Sequence, residues 1–114
     1  MKLKATYVYL KKPPEQLRDA AVKIAVLDTG VDLKHPFIRG AIRQKRIRKL
    51  KSFVTNDTST EDRVGHGTHV ANLLLEVAPD AQLYIAKIAS SKDIPSYHKI
   101  PEVKFFLDYS VLMR

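Results

Sequence analysis

Val22-Lys23-Ile24-Ala25-Val26-Leu27-Asp28-Thr29-Gly30 is the stretch on which the fold turns. Its apolar residues run almost without interruption, broken only by Lys23, and several are β-branched. That pattern predicts a strand buried on both faces, as the inner strands of a parallel sheet are. Gly30 supplies the turn that ends it. Asp28 therefore falls at the carboxyl end of a buried strand, where open α/β sheets collect their reactive groups.

A second such run, residues 81–88 (Ala-Gln-Leu-Tyr-Ile-Ala-Lys-Ile), predicts a second buried strand. Between the two, Val70, Leu73, Leu74 and Val77 recur at i, i+3, i+4 and i+7, which predicts a helix with one apolar stripe. Gly65 and Gly67 loosen its start, placing His66 in the loop or first turn, and Pro79 marks its end. Strand, loop, helix, strand is the outline of an α/β unit with a parallel sheet and flanking helices. Residues 31–62 read as loop, with a short strand at 51–55. Ahead of the first strand, Pro13-Pro14 blocks regular structure and residues 15–21 read as a short helix. The tail from 102 onward is apolar without a decisive period, and is the one segment apolar enough to cover an exposed sheet edge. The chain divides accordingly into an N-terminal segment (1–21), an α/β unit (22–88) and a tail (89–114).

The 114 residues allow one modest core, with 45% hydrophobic and 28% charged residues. The absence of cysteine excludes disulfides, thiolate metal sites and cysteine nucleophiles, and leaves the redox compartment open. No signal-peptide core or membrane-spanning run is read, so the expectation is a soluble, intracellular protein without a membrane partner. Net charge is +8, concentrated in Arg43, Lys45, Arg46, Arg48, Lys49 and Lys51. Ile42, Ile47, Leu50 and Phe53 punctuate that cluster and no aromatics are interleaved for base stacking. It reads as the solvated edge of a packed segment, with no nucleic-acid partner expected.

Two segments carry chemistry: Val26-Leu27-Asp28-Thr29-Gly30-Val31-Asp32, with His35-Pro36 after it, and Gly65-His66-Gly67-Thr68-His69-Val70-Ala71. They resemble, in the same chain order, the Asp-Ser/Thr-Gly and His-Gly-Thr-His-Val-Ala motifs of the subtilase family of serine peptidases. Residues 77–88 resemble the family's strand after the histidine helix. The resemblance implies an incomplete subtilisin-like fold and a serine-type endopeptidase acting on peptide or protein substrates. It also implies roles: His66 as general base, and Asp28 as the carboxylate that fixes its tautomer and stabilises the imidazolium. The glycines beside His66 are read as leaving room for a substrate.

The family's nucleophile follows a Gly-Thr pair, and no serine among these 114 residues does; its oxyanion asparagine also has no match in Asn56 or Asn72. An acyl-transfer site without nucleophile or oxyanion donors lacks its largest contributions, so this chain alone is expected to be inactive. The alternative is a catalytically inactive, peptidase-derived binding module or a degenerate product. Asn72 stands where the family usually has glycine, and Phe37 where many members carry a calcium-binding aspartate, which argues against that calcium site. No cofactor is expected. A zinc peptidase would need Glu after the first histidine and a four-residue step between histidines; Gly67 follows His66 and the step to His69 is three. His69 is read as a buried or helix-capping member of its motif, and His35 and His98 as loop histidines.

Overall fold

The computed structural model describes residues 7–11, 22–91 and 97–112. The helix expected over 15–21 lies outside them. The elements are strand β1 (Tyr7–Lys11), strand β2 (Lys23–Asp28), helix α1 (Pro36–Arg43), strand β3 (Ile47–Ser52), helix α2 (His66–Val77), strand β4 (Gln82–Lys87) and helix α3 (Ile100–Leu112). The strands lie in the order β1-β2-β4-β3. β2, β4 and β3 are parallel, and β1 joins the outer side of β2 antiparallel.

Every residue of β2 is buried, and so is every residue of β4 except Gln82. Successive side chains point to opposite faces, so each inner strand feeds two cores. Ile24 and Val26 join Leu83 and Ile85 on one face, under α1 and α2. Ala25 and Leu27 join Tyr84 and Ala86 on the other, under Val103 and Leu107 of α3. The result is an α/β fold, a parallel sheet between helical layers, consistent with part of a subtilisin fold.

Several expectations need correcting. Residues 31–62 hold a helix and a strand rather than loop, and the strand is Ile47–Ser52 rather than 51–55. The charged outward positions of an edge strand hide it, and a bulge at Arg48 breaks its alternation, so Ile47 and Leu50, three apart, pair with Leu83 and Ile85 of one face. Lysines on such an edge discourage pairing with another sheet. Arg46 departs from the solvated reading of the basic cluster: its guanidinium donates to the carbonyls of Leu75 and Ala78 at 2.8 and 3.0 Å, at the end of α2 where helix carbonyls lack intrahelical partners.

The stripe of α2 is also rotated. The helix buries Gly67, Thr68, Ala71 and Leu75, while Leu73 and Val77 are 46% and 72% exposed and Val70 and Leu74 pack at the margin. Small residues occupy the first two turns of the buried face, where the helix approaches the sheet closely, and Leu75 fills the core beyond them. Finally, the tail forms α3 and covers a face of the sheet, not an edge. Among the described residues no helix is long and apolar enough to cross a membrane.

Candidate active site

Asp28 ends β2 and is 1% exposed. His66 is the first residue of α2, whose N-cap, Gly65, takes a left-handed conformation with φ 99°. The structure brings the two together: His66 Nδ1 lies 2.7 Å from Asp28 Oδ2 and 2.9 Å from Oδ1. The Thr29 N–H donates to Asp28 Oδ1 at 2.7 Å, holding the carboxylate from behind. The histidine side chain keeps 28% of its surface exposed. A buried carboxylate against one ring nitrogen of a partly exposed imidazole orients the ring and favours the tautomer that carries its proton on that nitrogen.

Several residues that build this arrangement are not evident from the sequence motifs' familiar roles. Thr29 Oγ1 accepts from the Gly67 N–H at 2.9 Å, tying the residue after the aspartate to the residue after the histidine. Thr68 Oγ1 accepts from the Asp32 N–H at 2.9 Å. Asp62 receives five hydrogen bonds from the residues around both motifs. The available signal was its place just ahead of a helix start, where aspartate commonly caps. The reason for Gly67 also differs from the expected one: a Cβ there would overlap the Gly30 carbonyl oxygen, so the glycine serves a backbone crossing. Nothing lies within 4 Å of a Cβ built at Gly65.

His69 is exposed on the outer side of α2, not buried or capping. The motif's regularity hid its position: only every third or fourth residue of the helix faces the sheet. His35 is more than a loop residue, since its Nδ1 accepts from the Phe37 N–H at 3.2 Å and caps α1.

Behind the site, Lys87 at the end of β4 is completely buried. Its ammonium donates to Asp57 Oδ2 at 2.9 Å, to the Ser59 carbonyl at 3.0 Å and to the Glu61 carbonyl at 2.8 Å, fastening the loop that leads into Asp62. The hydrogen bonds from Lys87 and then Arg63 hold the Asp57 carboxyl down to about 2 from an ordinary 3.8. A carboxyl lowered on folding stabilises the fold above its ordinary value and loses that contribution as pH falls toward the lowered one. The unfolding midpoint should therefore drop between about pH 4 and pH 2, and Asp57→Asn should flatten that limb. Parallel thermal melts of both proteins check this; identical slopes would contradict it.

A sheet whose strand-end aspartate is hydrogen-bonded to a histidine at a helix start defines an α/β protein with a buried carboxylate–imidazole pair. The subtilase family model matches residues 19–104, and the chain belongs to the subtilase family. It is 38% identical over 95 residues to an alkaline protease of Alkalihalobacillus alcalophilus, a match covering 75% of this chain and 23% of that protein. It is 42% identical over 77 residues to a subtilisin of Bacillus sp. (strain TA39), covering 59% and 18%. With the membrane-bound transcription factor site-1 protease of Homo sapiens it shares 32% identity over 104 residues, covering 83% and 9%. The chain thus spans about a quarter or less of the length of these relatives.

Proposed function

We propose that this segment supplies the aspartate and the general-base histidine of a serine endopeptidase acting on peptide or protein substrates, with serine and oxyanion donors contributed by sequence outside these 114 residues. The observation that carries this reading is the 2.7 Å contact between His66 Nδ1 and a buried Asp28. In the proposed reaction the serine Oγ attacks the scissile carbonyl carbon while His66 Nε2 takes its proton. Asp28 keeps the proton on Nδ1 and stabilises the imidazolium that forms. The proton held on Nε2 then passes to the leaving amine as the carbon–nitrogen bond breaks. Water then attacks the acyl-enzyme and gives its proton to His66, which returns it to the serine Oγ as the acyl carbon–oxygen bond breaks and the acid leaves.

The test is fluorophosphonate labelling of the gene's full translation product beside the isolated 114-residue chain. The full product should label on a serine outside these residues, and the isolated chain should stay unlabelled. Asp28→Asn should slow labelling by about 10⁴-fold, because it leaves the wrong tautomer. A full product that folds with the pair intact and never labels would favour the alternative, a peptidase-derived module that binds partners without catalysis. Labelling of a serine within the 114 residues would contradict the assignment of the nucleophile.

A further inference from the structure

We propose that Asp62 is a positioning residue for the Asp28–His66 pair, holding the two segments at the separation their hydrogen bond requires; the inference rests on reading that pair as catalytic. Asp62 lies in neither motif segment. Its Oδ1 accepts from Thr29 Oγ1 at 2.7 Å, the Val64 N–H at 3.0 Å and the Gly65 N–H at 2.8 Å. Its Oδ2 accepts from the Thr68 N–H at 2.8 Å and from Thr68 Oγ1 at 2.7 Å. Thr29 is the neighbour of Asp28, and Gly65 the neighbour of His66. One carboxylate therefore holds the residue after the aspartate, the residue before the histidine and the threonine two places after it.

The two threonine hydroxyls close the network. Each donates to Asp62 and accepts a backbone N–H: Gly67 onto Thr29, Asp32 onto Thr68. Both threonines are buried, at 0% and 8% exposure. The start of α2 needs such outside partners, because its N-cap is a glycine with no side chain to offer. The N–H groups of Gly67 and Thr68, orphaned at the helix start, are taken by Thr29 and Asp62 instead. Helix start and strand end are thereby capped by the same group, and neither can shift without breaking it.

Electrostatics favour the same arrangement. Burial raises the Asp62 carboxyl, but the hydrogen bonds from Thr68, Gly65 and Thr29 outweigh it and leave it below its ordinary value. It is an anion with donors around both oxygens, at the positive end of a helix dipole. A displacement of about 1 Å between the segments would carry the 2.7 Å Nδ1 contact out of the range of an ordinary hydrogen bond.

The experiment follows His66 itself, by ¹⁵N-resolved NMR of its ring in the 114-residue chain, alongside thermal melts. Wild type should show a protected Nδ1 proton. Asp62→Asn, which puts an amide NH₂ among donors, should make that proton exchange at least about tenfold faster and mix the two ring tautomers. Thr29→Val removes one arm at constant volume and should act in the same direction, while Thr29→Ser should restore the wild-type signal. Thr29→Val decides the matter if Asp62 variants fail to fold. Variants that melt earlier yet keep the wild-type ring signal would overturn the positioning role and leave Asp62 a stabilising cap. A wild-type chain without the protected proton would instead overturn the pair itself.

Discussion

Gly67→Ala should leave the chain largely unfolded at ambient temperature. The first turn of α2 crosses the backbone of Gly30 so closely that a Cβ at 67 would overlap the Gly30 carbonyl oxygen and stand 3.0 Å from its nitrogen and 3.1 Å from Thr29 Oγ1. None of these is the movable end of a long side chain. Gly30 itself has φ +100°, and the space beside it is filled by the Thr60 carbonyl, so it cannot retreat in that direction. Relief would have to come from lifting the helix off the sheet. That would open the Gly67 to Thr29 hydrogen bond and expose Ala71 and Leu75, which are 0% and 1% exposed. Overpacking of a site that cannot relax, with a buried hydrogen bond lost, belongs to the group of substitutions costing more than about 4 kcal/mol. Urea unfolding monitored by circular dichroism measures it. A cost under about 1 kcal/mol would mean that the crossing is looser than described.

Lys87→Met should be the next most damaging single change. Methionine matches the stem of lysine but carries no donor, so the Ser59 and Glu61 carbonyls and Asp57 lose the ammonium they share. A polar group left without a partner costs about 1–3 kcal/mol, and Lys87 serves two backbone carbonyls besides the carboxylate. Asp57 keeps Arg63 at 2.8 Å, but that arginine is half exposed and replaces little of what is lost. Relief from desolvating a buried ammonium offsets part of the cost and does not reverse it, because the acceptors stay where they are. The damage should concentrate in the loop through Ser59 and Glu61 that feeds Asp62, so limited proteolysis there should accelerate more than elsewhere. Unchanged stability together with unchanged cleavage in that loop would contradict the assigned role.

The parts of this fold that were legible in the sequence are those whose chemistry is uniform along an element. β2 and β4 announced themselves because both faces of each strand are covered, which demands near-continuous apolar residues. The Asp28 and His66 segments were legible because turn glycines, threonines and the two polar residues recur there in a fixed order. β3 was misread because its outward residues are charged and its bulge spoils the alternation. α1 was missed because eight residues with a glycine in the middle bury only Ile38 and Ala41, too little for a period to show. In α2 the apolar spacing of Leu73 and Val77 pointed to the wrong face, since close approach puts Gly67, Thr68 and Ala71 against the sheet ahead of Leu75. α3 resisted assignment because it exposes Phe105 while burying Val103 and Leu107, so its apolar content outran its amphipathicity. Lys87, and Asp62 through Thr29, reach partners distant in sequence that are fixed only once the strands are in register.

Asp28 and His66 form one hydrogen-bonded unit, and a base role for His66 requires the ring proton to sit on Nδ1. The most direct measurement is the tautomer of the His66 ring, read from its ¹⁵N shifts at neutral pH in the wild-type chain and in Asp28→Asn. The proton should sit on Nδ1 in the wild type and on Nε2 in the variant. A wild-type ring protonated on Nε2, or one whose tautomer is indifferent to Asp28→Asn, would contradict it.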